Sequence, residues 1–127
     1  MAIRTKKKKY TKLLHAKLYV CANPNNTILS LTNDKGDVLT QLSCGVLGFN
    51  NCRKSTPHAT QMVSAELFKR AIENHGVKTL EIITRGIGIG RELVLTAVTK
   101  TILQVTAIYD DTCVKYGGVT ARRSQRK

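Results

Sequence analysis

Two short segments of this chain carry residue types and spacings suited to holding an anion. The first, Cys52-Arg53-Lys54-Ser55-Thr56-Pro57, puts two cations and two hydroxyls just ahead of a helix signal. At a helix N-terminus the free backbone N–H groups and the macrodipole favour a phosphate, whereas cations alone cost a few tenths to about 1 kcal/mol. Arg53 and Lys54 therefore make most sense beside a phosphate; the competing reading is an ordinary capped helix with solvated neighbours. The second segment is Arg85-Gly86-Ile87-Gly88-Ile89-Gly90-Arg91. It leads from a strand into a helix, so Gly86, Gly88 and Gly90 can bring bare backbone amides onto a phosphate, with an arginine at each rim. Its G-x-G-x-G spacing is not the dinucleotide fingerprint, no acid lies about 20 residues on within a second strand, and the Lys-Ser/Thr of a P-loop is missing. A tight strand–helix turn is the alternative.

Residues that would run catalysis are poorly assembled. Asp34 and Asp37 bracket a turn, where acids are ordinary. Asp110 and Asp111 are neighbours and point to opposite faces of a strand. His58 stands at a helix start with no visible serine or cysteine partner. Cys21, Cys44, Cys52 and Cys113, with His15, His58 and His75, form no zinc spacing. Cys21 and Cys44 sit in apolar runs and read as small buried hydrophobes. The expectation is no catalytic residue, no metal and no cofactor.

The elements that must position the two loops can be read from periodicity and turn chemistry. Residues 17–22 are rich in strand formers, and Asn23-Pro24-Asn25-Asn26 is a turn. Residues 27–32 alternate, with Leu29 and Leu31 opposite Ile28 and Ser30. Asn33-Asp34-Lys35-Gly36 marks a hairpin into a third strand, residues 37–44, so three strands make an antiparallel meander. A helix follows from Pro57, capped by Ser55 or Thr56, carrying Ala59, Met62, Val63, Ala65, Phe68 and Ile72, and stopping at Gly76. Residues 78–84 form a strand. The glycine loop opens a second helix near Arg91, with Leu93, Val94, Ala97, Val98 and Ile102 on its faces, and residues 103–109 close as a fifth strand. The fold class is α/β: a mixed sheet in the order β-β-β-α-β-α-β, with the last two strands parallel and two or three layers.

Charge gathers at the chain ends. Of the net +13, residues 1–17 carry +7, residues 18–114 carry +1 and residues 115–127 carry +5. Basic arms of this kind are disordered alone and seek a polyanion, because each phosphate neutralised releases a condensed counterion. A nucleic-acid binder is the first inference. The organisation expected is a basic arm over residues 1–16, a globular domain over 17–112 and a basic tail over 113–127. No stretch is long and apolar enough for a membrane span. The start, MAIRTKKKKY, lacks the apolar core of a secretory signal, so the chain is expected to begin as synthesised or to be made where it works.

Taken in order, Asn25-Asn26-Thr27-Ile28 with Leu31-Thr32, then Gly48-Phe49, then Arg53-Lys54-Ser55-Thr56-Pro57 with Ala59 and Gln61, then Gly86-x-Gly88-x-Gly90-Arg91-Glu92, resemble the small-subunit ribosomal protein S-eleven family. The match runs across roughly residues 17–112, with a basic tail after it. The resemblance implies a ribonuclease H-like arrangement used without its chemistry, and arms that order on RNA. It implies a place in the platform of the small ribosomal subunit, on its ribosomal RNA near the messenger exit path. Neighbours would be proteins of the S-seven and S-eighteen families, with messenger RNA nearby, no membrane and no homo-oligomer. The RNA contacts expected are Lys6, Lys7, Lys8, Lys9 and Lys12 in the first arm; Asn25, Asn26 and Thr27 in the asparagine turn; Arg53, Lys54, Ser55 and Thr56 in the first loop; Arg85, Gly86, Gly88, Gly90 and Arg91 in the second; and Arg122, Arg123, Arg126 and Lys127 in the tail.

Two departures stand out. Where the family carries prolines between the loop glycines, this chain has Ile87 and Ile89, one of which is expected to pack on a neighbouring protein or a base. Where the family's tail has an Asn-Gly turn and prolines, this chain has Gly117-Gly118 and none. This drift points to an organelle ribosome, mitochondrial (in the matrix) rather than plastid or cytoplasmic. The rival readings are a phosphate-ligand enzyme or nuclease using the Gly86–Gly90 loop, and a histone-like DNA-binding protein.

Overall fold

The computed structural model describes residues 12–127. Five strands and two helices follow in the order β1 (His15–Ala22), β2 (Thr27–Thr32), β3 (Val38–Ser43), α1 (Pro57–His75), β4 (Thr79–Arg85), α2 (Gly90–Thr99) and β5 (Gln104–Asp110), with a 3-10 turn at Asn51–Ser55. The sheet order is β3-β2-β1-β4-β5. β1 pairs antiparallel with β2, and β2 with β3, which is the expected meander. β1 pairs parallel with β4 and β4 with β5. This is the mixed arrangement implied by the resemblance.

Strand periodicity decides the layers. Ala16, Leu18, Val20 and Ala22 of β1, Leu29 and Leu31 of β2, and Leu80 and Ile82 of β4 are buried, while alternate residues are half-buried or exposed. All these buried residues except Ala22 join one cluster with Val63, Leu67 and Phe68 of α1 and Val94 and Val98 of α2. Both helices therefore lie on one face, giving two layers, and the opposite face of the sheet is open. The expected apolar stripe of α1 needs revision. Leu67 and Ala71 are in the core, whereas Met62 and Ala65 are exposed beside α2. Ile102 lies past the end of α2 and is exposed, not on its buried face.

β1 begins two residues before the expected Lys17, because Ala16 is buried and His15 Nδ1 lies 3.0 Å from the Thr79 hydroxyl. Gly36 (φ 93°) and Gly76 (φ 66°) take the left-handed conformation expected of them. Cys44 is buried as expected; Cys21 is only half-buried, because β1 turns it toward the open face.

Parallel pairing has one consequence for function. β1, β3, β4 and β5 all finish at the same end of the sheet. The β1–β2 turn, the loop into α1, the glycine loop into α2 and the start of the tail all meet there. The carboxyl ends of parallel strands are where open α/β sheets place ligands.

Candidate nucleic-acid interface

The two loops singled out by sequence are brought together at this end, with the asparagine turn between them. Thr27 joins them. It is 3 % exposed, its hydroxyl lies 3.5 Å from that of Thr60 in the first turn of α1, and it abuts Gly90 at the start of α2. Its place is thus inside the assembly of loops, holding them in register.

The glycines of the second loop serve the same close approach. A Cβ on Gly86 would strike the Ala22 carbonyl oxygen, one on Gly88 would lie 2.6 Å from the Asn23 oxygen, and one on Gly90 would strike the Thr27 hydroxyl. Gly86 also has φ 105°, in the left-handed region. The Gly88 amide donates to the Ala22 carbonyl at 2.9 Å, and the Gly86 amide to the Thr112 hydroxyl at 3.3 Å. Those two amides are engaged within the chain, so the spacing G-x-G-x-G is set by close packing, Gly86 and Gly88 on the backbone of Ala22 and Asn23 and Gly90 on the Thr27 side chain. What the loop offers outward is Ile87 and Ile89, 81 % and 62 % exposed.

The first loop is built by its own hydroxyls. The Asn51–Ser55 turn brings Ser55 Oγ to donate to the Cys52 carbonyl at 3.0 Å, and Thr56 Oγ1 to the Arg53 carbonyl at 2.7 Å. Thr56 then caps α1 by accepting from the Ala59 amide at 3.3 Å, with Pro57 following in the first turn. Of the two candidate caps, Thr56 takes the role. Arg53 is exposed and Lys54 half-buried, and among the described residues neither forms an ion pair. His58 packs edge-on to Phe49, with ring centroids 6.0 Å apart.

In the asparagine turn, Asn26 Oδ1 accepts from the Thr27 amide at 2.9 Å and the Asn23 amide donates to the Asn26 carbonyl at 2.9 Å, which leaves Asn25 exposed at the tip.

Both arginines of the glycine loop touch the root of the tail. Arg85 Nη2 donates to the Cys113 sulfur at 2.8 Å, and that bond holds its pKa further above the usual guanidinium value. Arg91 Nη1 donates to the Gly86 carbonyl and to Asp110 Oδ2, each at 3.3 Å. Asp110 in turn accepts from the Thr112 hydroxyl and amide, which hold its carboxyl below the usual carboxylate range. From Asp111 onward the chain has neither helix nor strand, and every residue through Lys127 is exposed, including Arg122, Arg123 and Arg126.

The acids that a nuclease would need are kept apart. Asp110 is at the carboxyl end of β5, whereas Asp34 and Asp37 are in the β2–β3 turn at the other end, Asp34 lying 3.6 Å from His15 Nε2. Among the described residues no group of three His, Cys, Asp or Glu side chains is placed to hold a metal ion. Lys12 also sits at that far end, where the adjacent Leu13 amide donates to the His75 carbonyl at the close of α1. Lys6, Lys7, Lys8 and Lys9 lie outside the described residues.

A family model described as ribosomal protein S11 matches residues 16–126. The chain is also similar to the protein named small ribosomal subunit protein uS11 from two strains of Thermus thermophilus. Each is 36 % identical to it over 123 residues, covering 97 % of this chain and 95 % of the relative.

Proposed function

The chain belongs to the ribosomal protein S11 family, and from that membership we propose that the carboxyl-end loops and the tail form one surface for small-subunit ribosomal RNA. The protein is a structural constituent of the small ribosomal subunit, acting in translation, and not an enzyme. The observation that carries the proposed surface is the convergence of four segments at one end of the sheet. Arg53 and Lys54 lack ion-pair partners there among the described residues, Asn25 projects from the turn, and the cationic tail departs beside Arg85.

The mechanism is charge neutralisation with shape. Arg53, Lys54, Arg122, Arg123, Arg126 and Lys127 meet phosphates, as do Lys6, Lys7, Lys8, Lys9 and Lys12 of the first basic segment. Backbone contacts of this kind fix position, and the folded shape of the RNA supplies selectivity. Ser55, Thr56, Thr27 and the glycines act mainly by holding the loops, and Arg91 by tying the glycine loop to β5. The finer placement proposed is the subunit platform near the messenger exit path, beside proteins of the S-seven and S-eighteen families, with Ile87 or Ile89 packed on a neighbour. The compartment proposed is the mitochondrion, supported by the apolar replacements in the glycine loop; a plastid or cytoplasmic ribosome is the alternative.

Sedimentation of organelle and cytosolic lysates at low and high salt tests this. Co-migration with small-subunit RNA in the mitochondrial fraction is expected. Co-migration only in the cytosolic fraction overturns the compartment, and a free protein under gentle salt overturns the placement on RNA.

A further inference from the structure

The open face of the sheet has a composition that the loops do not explain. Register pairs Tyr19 of β1 with Ile83 of β4, and Ile83 with Tyr109 of β5, so the two tyrosines flank Ile83 on one face. They are 42 % and 53 % exposed, and among the described residues neither phenol has a hydrogen-bond partner. With strands about 4.8 Å apart, two intervening gaps set their backbones roughly 10 Å apart, enough for each ring to take its own base. One step toward the carboxyl end, the next row holds Cys21 beside Arg85. The tyrosine row is therefore continuous with the surface already proposed for RNA. On its other side, Lys17 pairs with Glu81 at 3.5 Å, and across β2 and β3 the row continues through Ser30 and Gln41. The two rings, with Ile83 between them, make a strip one row wide bordered by Lys17, Glu81, Arg85, Ser30 and Gln41, narrower than the broad apolar centre of a protein interface. They fit unpaired nucleotides, whose bases stack on aromatic rings while a nearby cation meets the backbone.

We infer that the open sheet face is a second RNA site, with Tyr19 and Tyr109 each stacking one unpaired base of an RNA strand that continues past Arg85 onto the carboxyl-end loops. This inference rests on the RNA reading above and adds to it a single-stranded ligand and a stacking mode.

The test measures binding of the full chain to a short single-stranded RNA of mixed sequence and to a duplex of the same length, across a salt series. Tyr19→Ala and Tyr109→Ala should each weaken single-strand binding by about 5- to 150-fold, the range of one base–aromatic stack, and leave the salt slope unchanged. Tyr19→Phe and Tyr109→Phe should retain affinity, and duplex binding should stay as it was. Should Tyr19→Ala unfold, Tyr109→Ala on the edge strand together with Tyr19→Phe still decides. Alanine variants that bind single strands like the parent overturn the inference, as do phenylalanine variants that lose as much as alanine, or equal losses on the duplex. A parent chain with no salt-dependent RNA affinity overturns the RNA reading as well. Salt-dependent binding with indifferent tyrosines overturns this site alone.

Discussion

Gly86, Gly88 and Gly90 show how one residue type answers to two different demands. From the sequence they are candidates for presenting amides to a phosphate; in the fold their missing side chains make room for Ala22, Asn23 and Thr27. The sequence could not separate these readings, because the partner groups lie about 60 residues upstream and only tertiary contact reveals them. The two readings differ in what a methyl group would do. Gly86→Ala meets a fixed carbonyl and a left-handed φ together, and should cost more than the 1–3 kcal/mol typical of overpacking, as a rough guide. Gly36→Ala has the unfavourable φ but open space around it, and should cost only about 1 kcal/mol. Thermal unfolding of the two variants checks the order; equal midpoints would mean the glycine loop is not packed as described. Asp110 provides a second residue-scale test. Its pKa is lowered first by the Thr112 hydroxyl, then by the Thr112 amide, with Arg91 adding a smaller pull. A carboxyl lowered on folding contributes fully above the ordinary value near 4, and its contribution disappears as pH falls through the lowered one. Thr112 amide protection should therefore be lost on acidification in step with Asp110 titration, followed by NMR, and Asp110→Asn should abolish that step. Titration of Asp110 at or above the ordinary value would count against the anchored tail root.

At the level of elements, the sequence was most legible where periodicity and turn chemistry coincided. Leu29 and Leu31 alternate with Ile28 and Ser30, and Asn33 closes the next turn through its side chain, accepting from the Asp37 amide at 2.8 Å. Legibility failed where packing direction matters. The stripe on α1 included Met62 and Ala65 and passed over Leu67 and Ala71, because α1 meets the sheet and α2 at different angles around its axis. The open sheet face was equally hidden: whether helices cover one face or both does not follow from element order. The Arg53–Pro57 block divides by role, and mutants should separate the roles. Thr56→Ala removes the α1 cap and should cost about 1 kcal/mol in unfolding free energy. Arg53→Ala and Lys54→Ala should hardly move the midpoint, but each should lower the RNA salt slope by about 0.7–0.9. Binding across a salt series and denaturant unfolding, run on the same variants, distinguish them; a Lys54→Ala that destabilises without changing the slope would make that lysine structural.

For the whole molecule, charge distribution was the easiest property to read and the most dependent on the fold for its meaning. The division into +7, +1 and +5 is visible in the sequence, but where the charged ends depart is not. The first basic segment joins β1 at its amino end, past Lys12, and the tail leaves β5 at its carboxyl end. Because β1, β4 and β5 are parallel, the length of a strand separates the two departures, roughly 23 Å for seven residues. Removing residues 1–12 and removing residues 115–127 should each reduce the RNA salt slope while leaving the unfolding midpoint nearly unchanged. A deletion that leaves the slope intact would remove that arm from the interface. The separation also bears on how the protein stays bound. Two cationic segments on one rigid body behave as linked ligands: once either is seated, the other searches only the volume its tether reaches, at an effective concentration approaching the millimolar range for short tethers. Release then requires both to be free at once. Joining the two basic segments at the same end of the sheet, by permuting the chain, would leave the charge unchanged yet shorten the residence time on an RNA that spans both ends.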